Sequence, residues 1–369
     1  MDIVIIGGGL AGYQTAKEIR RTDRHVRLLL ISSDSADFYS KPMLSNALAS
    51  KKTPESLVIK KAHEMAAELD IEILPHSPVE AIFPEKKEIS LGNRSIGYSK
   101  LVLALGAEPT RLPVEGEVLS VNDLSDYARF REALAGKKRV ALLGAGLVGC
   151  EFANDLLAGG FDVDVFDIAS QPLGRLVPAE CGEWIRANLK GVNWHFGANA
   201  MRFENGMLHL SDGNALPFDV VLSAAGLKPR TGLAMNAGMA CGRGIMVDRF
   251  LETSSRDVYA IGDCMEIEGL VQPFVMPIMH ASKALASNLL GNRVALRFPA
   301  MPVVVKTPLS PTVVSPPRPG SKGAWHAEAE EGGVKSVFLD EGGKILGFCL
   351  CGKYVSEKNS LSRALPDLL

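Results

Sequence analysis

Gly7-Gly8-Gly9-Leu10-Ala11-Gly12 and Gly144-Ala145-Gly146-Leu147-Val148-Gly149 carry one and the same glycine spacing. Each follows a short apolar run, Asp2-Ile3-Val4-Ile5-Ile6 and Arg139-Val140-Ala141-Leu142-Leu143. Such runs suit strands buried on both faces. After each turn, helical spacing predicts a helix, over 13–21 and over 150–158, and then a further strand, over 25–31 and over 162–166. A strand, a glycine turn, a helix and a second strand in about 30 residues form one βαβ unit. The glycines have separate duties. The first permits the tight turn, the second lets backbone approach a pyrophosphate, and the third lets helix and strand pack. The helix N-terminus then offers unpaired N–H groups and partial positive charge to phosphates. Gly7, Gly9 and Gly12 fit these duties, as do Gly144, Gly146 and Gly149, with Leu10 and Ala11 opening the first helix. One such match is weak, but two in matching context predict two dinucleotide sites.

Working outward, an echo follows each unit. Leu101-Val102-Leu103-Ala104-Leu105-Gly106-Ala107-Glu108-Pro109 and Val220-Val221-Leu222-Ser223-Ala224-Ala225-Gly226-Leu227-Lys228-Pro229 are both apolar strands ending in small residues, glycine and proline. Internal duplication is the economical explanation. A third strand ends in Gly262-Asp263, and a helix is expected over 277–290. Near Phe298 the composition changes to Pro, Val and Thr, then to Gly-rich turns between strand-like runs at 336–339 and 345–350. The expected fold class is α/β: two Rossmann-like dinucleotide-binding domains plus a small C-terminal α+β domain. The expected limits are 1–113 with 246–297 for the first, 114–245 for the second and 298–369 for the third.

An acid about 20 residues beyond the turn binds ribose hydroxyls. Asp167 stands there in the second unit with no arginine close behind, so NADH is expected over NADPH. In the first unit the strand ends Leu30-Ile31-Ser32-Ser33-Asp34, which leaves Ser32 and Asp34 both as ribose ligands.

Composition bounds the rest. The chain has 369 residues, 47% hydrophobic and 22% charged, with net charge −2, so it is not a general polyanion or nucleic-acid binder. No run of about 18 apolar residues suggests a membrane span. The start of the chain reads as a strand rather than a secretion signal, so a cytoplasmic location is expected. The cysteines, 150, 181, 241, 264, 349 and 351, form no CxxC pair and the histidines no HxxxH. No metal site is spelled out, and Cys349 and Cys351 are expected as buried thiols.

Two nucleotide sites with a late Gly-Asp resemble the FAD-dependent pyridine nucleotide-disulfide oxidoreductases, the glutathione-reductase-like superfamily. More specific stretches are similar to the rubredoxin–NAD(+) reductases. They are Tyr39-Ser40-Lys41-Pro42-Met43-Leu44-Ser45, Gly149-Cys150-Glu151-Phe152-Ala153-Asn154-Asp155-Leu156, Val275-Met276-Pro277, Val303-Val304-Val305-Lys306-Thr307-Pro308 and Val313-Val314-Ser315-Pro316-Pro317. The resemblance implies FAD on the first unit and NADH on the second, with electrons leaving to rubredoxin. It implies that Asp263 holds the FAD ribitol or phosphate region and that Lys41 and Pro42 lie against the flavin. Glu151 would meet Lys41 near flavin N5. Val79 would contact the adenine end, Val275 and Lys306 would line the isoalloxazine, and Gly106, Gly226 and Gly262 would belong to the cofactor walls.

Disulfide reductases of that superfamily carry a cysteine pair in the region of residues 39–46, and its NADH oxidases and peroxidases carry one cysteine. Here there is none. A thiol relay is thereby disfavoured, and electrons must leave from the flavin itself. Between Gly269 and Ala327 no acid occurs, while Lys283, Arg293, Arg297, Lys306, Arg318 and Lys322 do. This basic stretch suits a small acidic iron carrier. A ferredoxin, a flavorubredoxin or O₂ stays open as the acceptor.

Overall fold

The computed structural model describes residues 2–369. The first glycine unit builds a five-stranded parallel sheet in the order Val258–Ala260, Lys100–Leu103, Asp2–Ile6, Arg27–Ile31, Glu72–Leu74. The second builds another in the order Leu119–Ser120, Val220–Ser223, Arg139–Leu143, Asp162–Asp167, Val192–Phe196. In both, the strand before the glycines lies at the centre, flanked by the next strand on one side and the echo strand on the other. The duplication is therefore structural. The two echoes also pair with each other, Ala107–Pro109 antiparallel to Leu227–Pro229, and so tie the modules together.

Parallel strands covered on both faces should be apolar without alternation. Ile3, Val4 and Ile5 are at most 1% exposed, and so are Val140, Ala141 and Leu142. Each such aliphatic side chain contributes roughly 1.5–3 kcal/mol by burial. The helices are longer than expected, Leu10–Thr22 and Leu147–Ala158, because each begins directly beyond the second glycine of its turn. Gly7 and Gly144 hold φ of +125° and +116°, which side chains rarely adopt. A Cβ on Gly12 or Gly149 would strike the carbonyl of Gly7 or Gly144. The first helix packs on Val275–Leu289, which starts two residues before the expected position.

Residues beyond Phe298 form an antiparallel sheet in the order Val303–Val305, Thr312–Ser315, Ile345–Gly352, Gly333–Leu339, Ala324–Glu330, followed by the short helix Lys358–Ala364. The strand Ala324–Glu330 escaped the sequence reading. It lies at the sheet's edge, almost wholly exposed, and its small, helix-favouring alanines and glutamates do not read as a strand. Smaller sheets were also unread, among them an antiparallel one within 81–97 and a mixed one in which Glu115–Gly116 runs parallel to Ala200–Glu204.

Candidate active site

A cavity of about 1180 Å³ runs from the first glycine turn, past the start of the second module's helix, to the first strand of the C-terminal sheet. Gly7, Gly9, Leu10 and Ala11 line one end. Gly9 is the N-cap of its helix and has no side chain to cap it, so the first-turn N–H groups are left for something else. A Cβ built on Gly9 meets nothing within 4 Å. The geometry is an open cradle at a positive helix end, the shape a pyrophosphate needs.

Ser32 and Asp34, the two open ribose candidates, act as a connected pair on the same wall. Ser32 Oγ accepts from Gly8 N at 3.3 Å and donates to Asp34 Oδ1 at 2.6 Å, and Ala36 N donates to that same oxygen at 2.9 Å. In the second module one residue does both tasks. The Asp167 carboxylate accepts from Ala145 N at 2.5 Å and from Ala169 N at 2.7 Å. Ser32 therefore occupies the place of Asp167 against the turn, and Asp34 supplies the charge from two residues further on. The departure of the first unit from the simple acid pattern has this physical basis.

The cavity reaches Leu147, Val148 and Glu151 of the second helix. Gly144, Gly146, Gly149 and Asp167 do not line it. Gly146 repeats the first cradle: it is an uncapped N-cap with nothing within 4 Å of a built Cβ. Nearby, Ser223 Oγ is buried, without a hydrogen-bond partner, at the end of the echo strand that lines the cavity. A buried hydroxyl in this condition costs stability unless a ligand satisfies it.

Lys41 and Pro42 begin a 3₁₀ turn, Lys41–Asn46, on the cavity wall. Burial lowers the Lys41 ammonium below its ordinary value, opposed first by the charge of Asp263. The same burial raises the Asp263 carboxyl, opposed by Lys41. The two are thus electrostatic partners across the cavity.

The expected Lys41–Glu151 contact is corrected by the structure. Lys41 Nζ donates to Asn122 Oδ1 at 2.7 Å, and Asn122 is held in turn by Ala107 O at 3.0 Å. Glu151, 3% exposed, accepts from Ser45 Oγ at 2.7 Å, from Lys306 N at 3.1 Å and from the Lys306 ammonium. Lys306 directly follows the strand Val303–Val305 of the C-terminal sheet. Sequence distance hid the competition, since 155 residues separate the pair. Lys306 is accordingly half-buried, while the other five cations of the basic stretch are exposed. Removing one partner of a buried pair leaves an uncompensated charge. Lys306→Met should cost about 3 kcal/mol of stability, and adding Glu151→Gln should recover most of it, as measured by urea unfolding.

Val79, Gly106, Gly226 and Val275 also line the cavity. Gly262 does not. Its Cβ would press on Ala11 at 2.9 Å, so it packs the Asp263 turn against the first cradle. Sequence reasoning gave no role to Ser45, Asn122, Ser223, Arg230 or Asp155. Arg230 lines the cavity and donates to Leu105 O at 3.1 Å. Asp155, fully buried one helical turn past Glu151, accepts from Leu48 N at 3.0 Å and Ala49 N at 2.8 Å. It anchors the segment that carries Lys41 and Ser45. Asp155→Asn turns one acceptor oxygen into a donor facing an N–H, so turnover should fall by one to two orders of magnitude, roughly, as the segment shifts. Burial raises the Asp155 carboxyl, so the folded chain holds that proton more tightly than the unfolded one. Its contribution to stability therefore declines as pH rises from the ordinary aspartate value through the raised one, and the Asn variant should lack that slope.

Residues 1–287 match the pyridine nucleotide-disulphide oxidoreductase family. The chain belongs to that family. Residues 295–365 match a second family, the rubredoxin binding C-terminal domain. The rubredoxin-NAD(+) reductase of Alcanivorax borkumensis is 43% identical across 100% of this chain and 99% of its own. The nitric oxide reductase FlRd-NAD(+) reductase of Aeromonas hydrophila subsp. hydrophila is 34% identical over 99% of this chain and 96% of its own. Among solved structures, putidaredoxin reductase in covalent complex with putidaredoxin shares the fold, with TM-score 0.89 at 22% identity, covering 99% of this chain and 94% of that one. No cysteine lines the cavity among the described residues. Nor is any described helix long and apolar enough to cross a membrane.

Proposed function

We propose that this chain is an FAD-containing NADH oxidoreductase that passes electrons singly to rubredoxin. One observation carries the reading. A single cavity is bounded by the first glycine cradle, the first turn of the second module's helix, and residues 301–306 of the segment that matches the rubredoxin binding domain. We take 1–113 with 246–297 as the FAD-binding domain, 114–245 as the NAD-binding domain and 298–369 as the carrier-binding domain.

FAD, when bound, accepts a hydride from NADH and releases electrons one at a time. The residues supply position and field. The amides beyond Gly9 hold the pyrophosphate, and Ser32 with Asp34 meets the ribose. Lys41, Pro42 and Asp263 flank the flavin, while Val79, Val275 and the glycines at 106 and 226 shape its walls. The amides beyond Gly146 hold the NADH pyrophosphate, and Asp167 faces its ribose. Ser223 offers the nicotinamide end an unused hydroxyl. Glu151 is fixed at the junction by Ser45 and Lys306. No side chain need transfer a proton in the hydride step, so orientation is the protein's main contribution. We place the protein in the cytoplasm, where such carriers work.

The experiment is NADH-dependent cytochrome c reduction with and without rubredoxin. The carrier should raise the rate many-fold, and ferredoxin or flavorubredoxin far less. No stimulation by rubredoxin sinks the assignment. Raising salt from ~0.02 to ~0.5 M should slow rubredoxin reduction about tenfold while ferricyanide reduction stays nearly constant. Equal slowing of both counts against docking on the exposed cations at Lys283, Arg293, Arg297, Arg318 and Lys322.

A further inference from the structure

Three cysteines that the mechanism does not use converge on one point. Cys349 and Cys351 share a face of the strand Ile345–Gly352, and Cys181 comes from the helix Ala179–Asn188 that packs on that sheet. Their sulfurs all lie within 4.8 Å of one another, and each residue is 0% exposed. The surroundings are apolar, including Ile185, Val314 and Val334. Thr312 Oγ1 lies 3.8 Å from Cys351 Sγ and is already bonded to Ser310 O at 3.0 Å. Among the described residues no histidine or carboxylate joins the group.

We propose that Cys181, Cys349 and Cys351 form an all-sulfur, three-coordinate site for a single copper(I) ion. The geometry needs little adjustment. With metal–sulfur bonds of about 2.3 Å, three sulfurs in a plane around one ion stand about 4 Å apart. The donor chemistry chooses the ion. Thiolates alone select soft cations, whereas zinc completes a set of four ligands that this pocket does not offer. Loss of one thiol proton per copper(I) keeps the buried group neutral, with one thiolate and two thiol sulfurs sharing a single positive charge. The consequence is structural, because the ion would clamp the C-terminal sheet to the second nucleotide-binding module. Full burial means that loading accompanies folding or a transient parting of helix and sheet.

The test uses the complete FAD-loaded protein under anaerobic conditions, titrated with copper(I) held by bicinchoninate. The wild type should withdraw one copper per chain, with an X-ray absorption spectrum showing three sulfur neighbours and no nitrogen or oxygen. Cys181→Ser and the double variant Cys349→Ser/Cys351→Ser should bind at least tenfold more weakly. Cys241→Ser should match the wild type, because Cys241 is not part of the group. The proposal is overturned if the wild type takes no more copper than the variants. It is overturned equally if the spectrum shows nitrogen or oxygen ligands, or if equimolar zinc displaces the copper. Should the serine variants fail to fold, as judged by FAD absorbance, the wild-type stoichiometry and spectrum decide the matter alone.

Discussion

Gly9→Asp should yield a folded, colourless protein. Gly9 holds extended backbone, φ −85° and ψ −170°, which any residue adopts. A Cβ there meets nothing within 4 Å, and Asp is a favoured N-cap, so the helix Leu10–Thr22 should be as stable as before or slightly more so. The new carboxylate, however, stands in the cradle meant for a pyrophosphate. Like charges about 4 Å apart at an effective dielectric constant of about 20 repel by about 4 kcal/mol, roughly a thousandfold in affinity. The expected result is an unchanged melting curve of the FAD-free protein with FAD occupancy and NADH oxidation lost together. A yellow Gly9→Asp protein with one FAD per chain would refute the cradle. The neighbouring Gly12→Val would not separate these effects, because its side chain strikes the Gly7 carbonyl and disturbs folding itself.

Gly146→Asp should separate the two half-reactions. Gly146 has the same extended backbone, φ −74° and ψ −170°, and the same empty space at its Cβ. FAD should stay bound, since the first cradle is untouched. The KM for NADH should rise on the order of a hundred- to a thousandfold by the same repulsion. Protein reduced with dithionite should still reduce rubredoxin at the wild-type rate. Unaltered NADH kinetics would show that the second turn does not carry the nicotinamide nucleotide.

The parts of this fold that could be read in advance are those with local causes. The glycine turns, the buried strands and the echo segments each state their geometry within about ten residues. The reading failed where the deciding partner lay far off in the chain. Lys41 and Glu151 both line the cavity, yet each takes another partner, because Asn122 and Lys306 arrive from separate elements. Asp155 looked like any helix acid until Leu48 and Ala49 were seen to aim their N–H groups at it. Cys349 and Cys351 spelled two ligands at most, and the third thiol sits 168 residues away from Cys349. The exposed strand Ala324–Glu330 carries no burial pattern because it buries almost nothing. Ser32 and Asp34 stood as alternatives in the sequence, and their mutual hydrogen bond joins two residues that spacing alone keeps apart.

The central claim is that electrons pass from NADH to one flavin and from there directly to a one-electron carrier. An anaerobic stopped-flow experiment tests it most directly, mixing the protein first with NADH and then separately with oxidised rubredoxin, ferredoxin and air-saturated buffer. One NADH per chain should bleach the flavin completely, and re-oxidation should then consume two rubredoxins and outpace both other oxidants by orders of magnitude. Uptake of a second NADH per chain before bleaching is complete, or re-oxidation by rubredoxin no faster than by O₂, would contradict it.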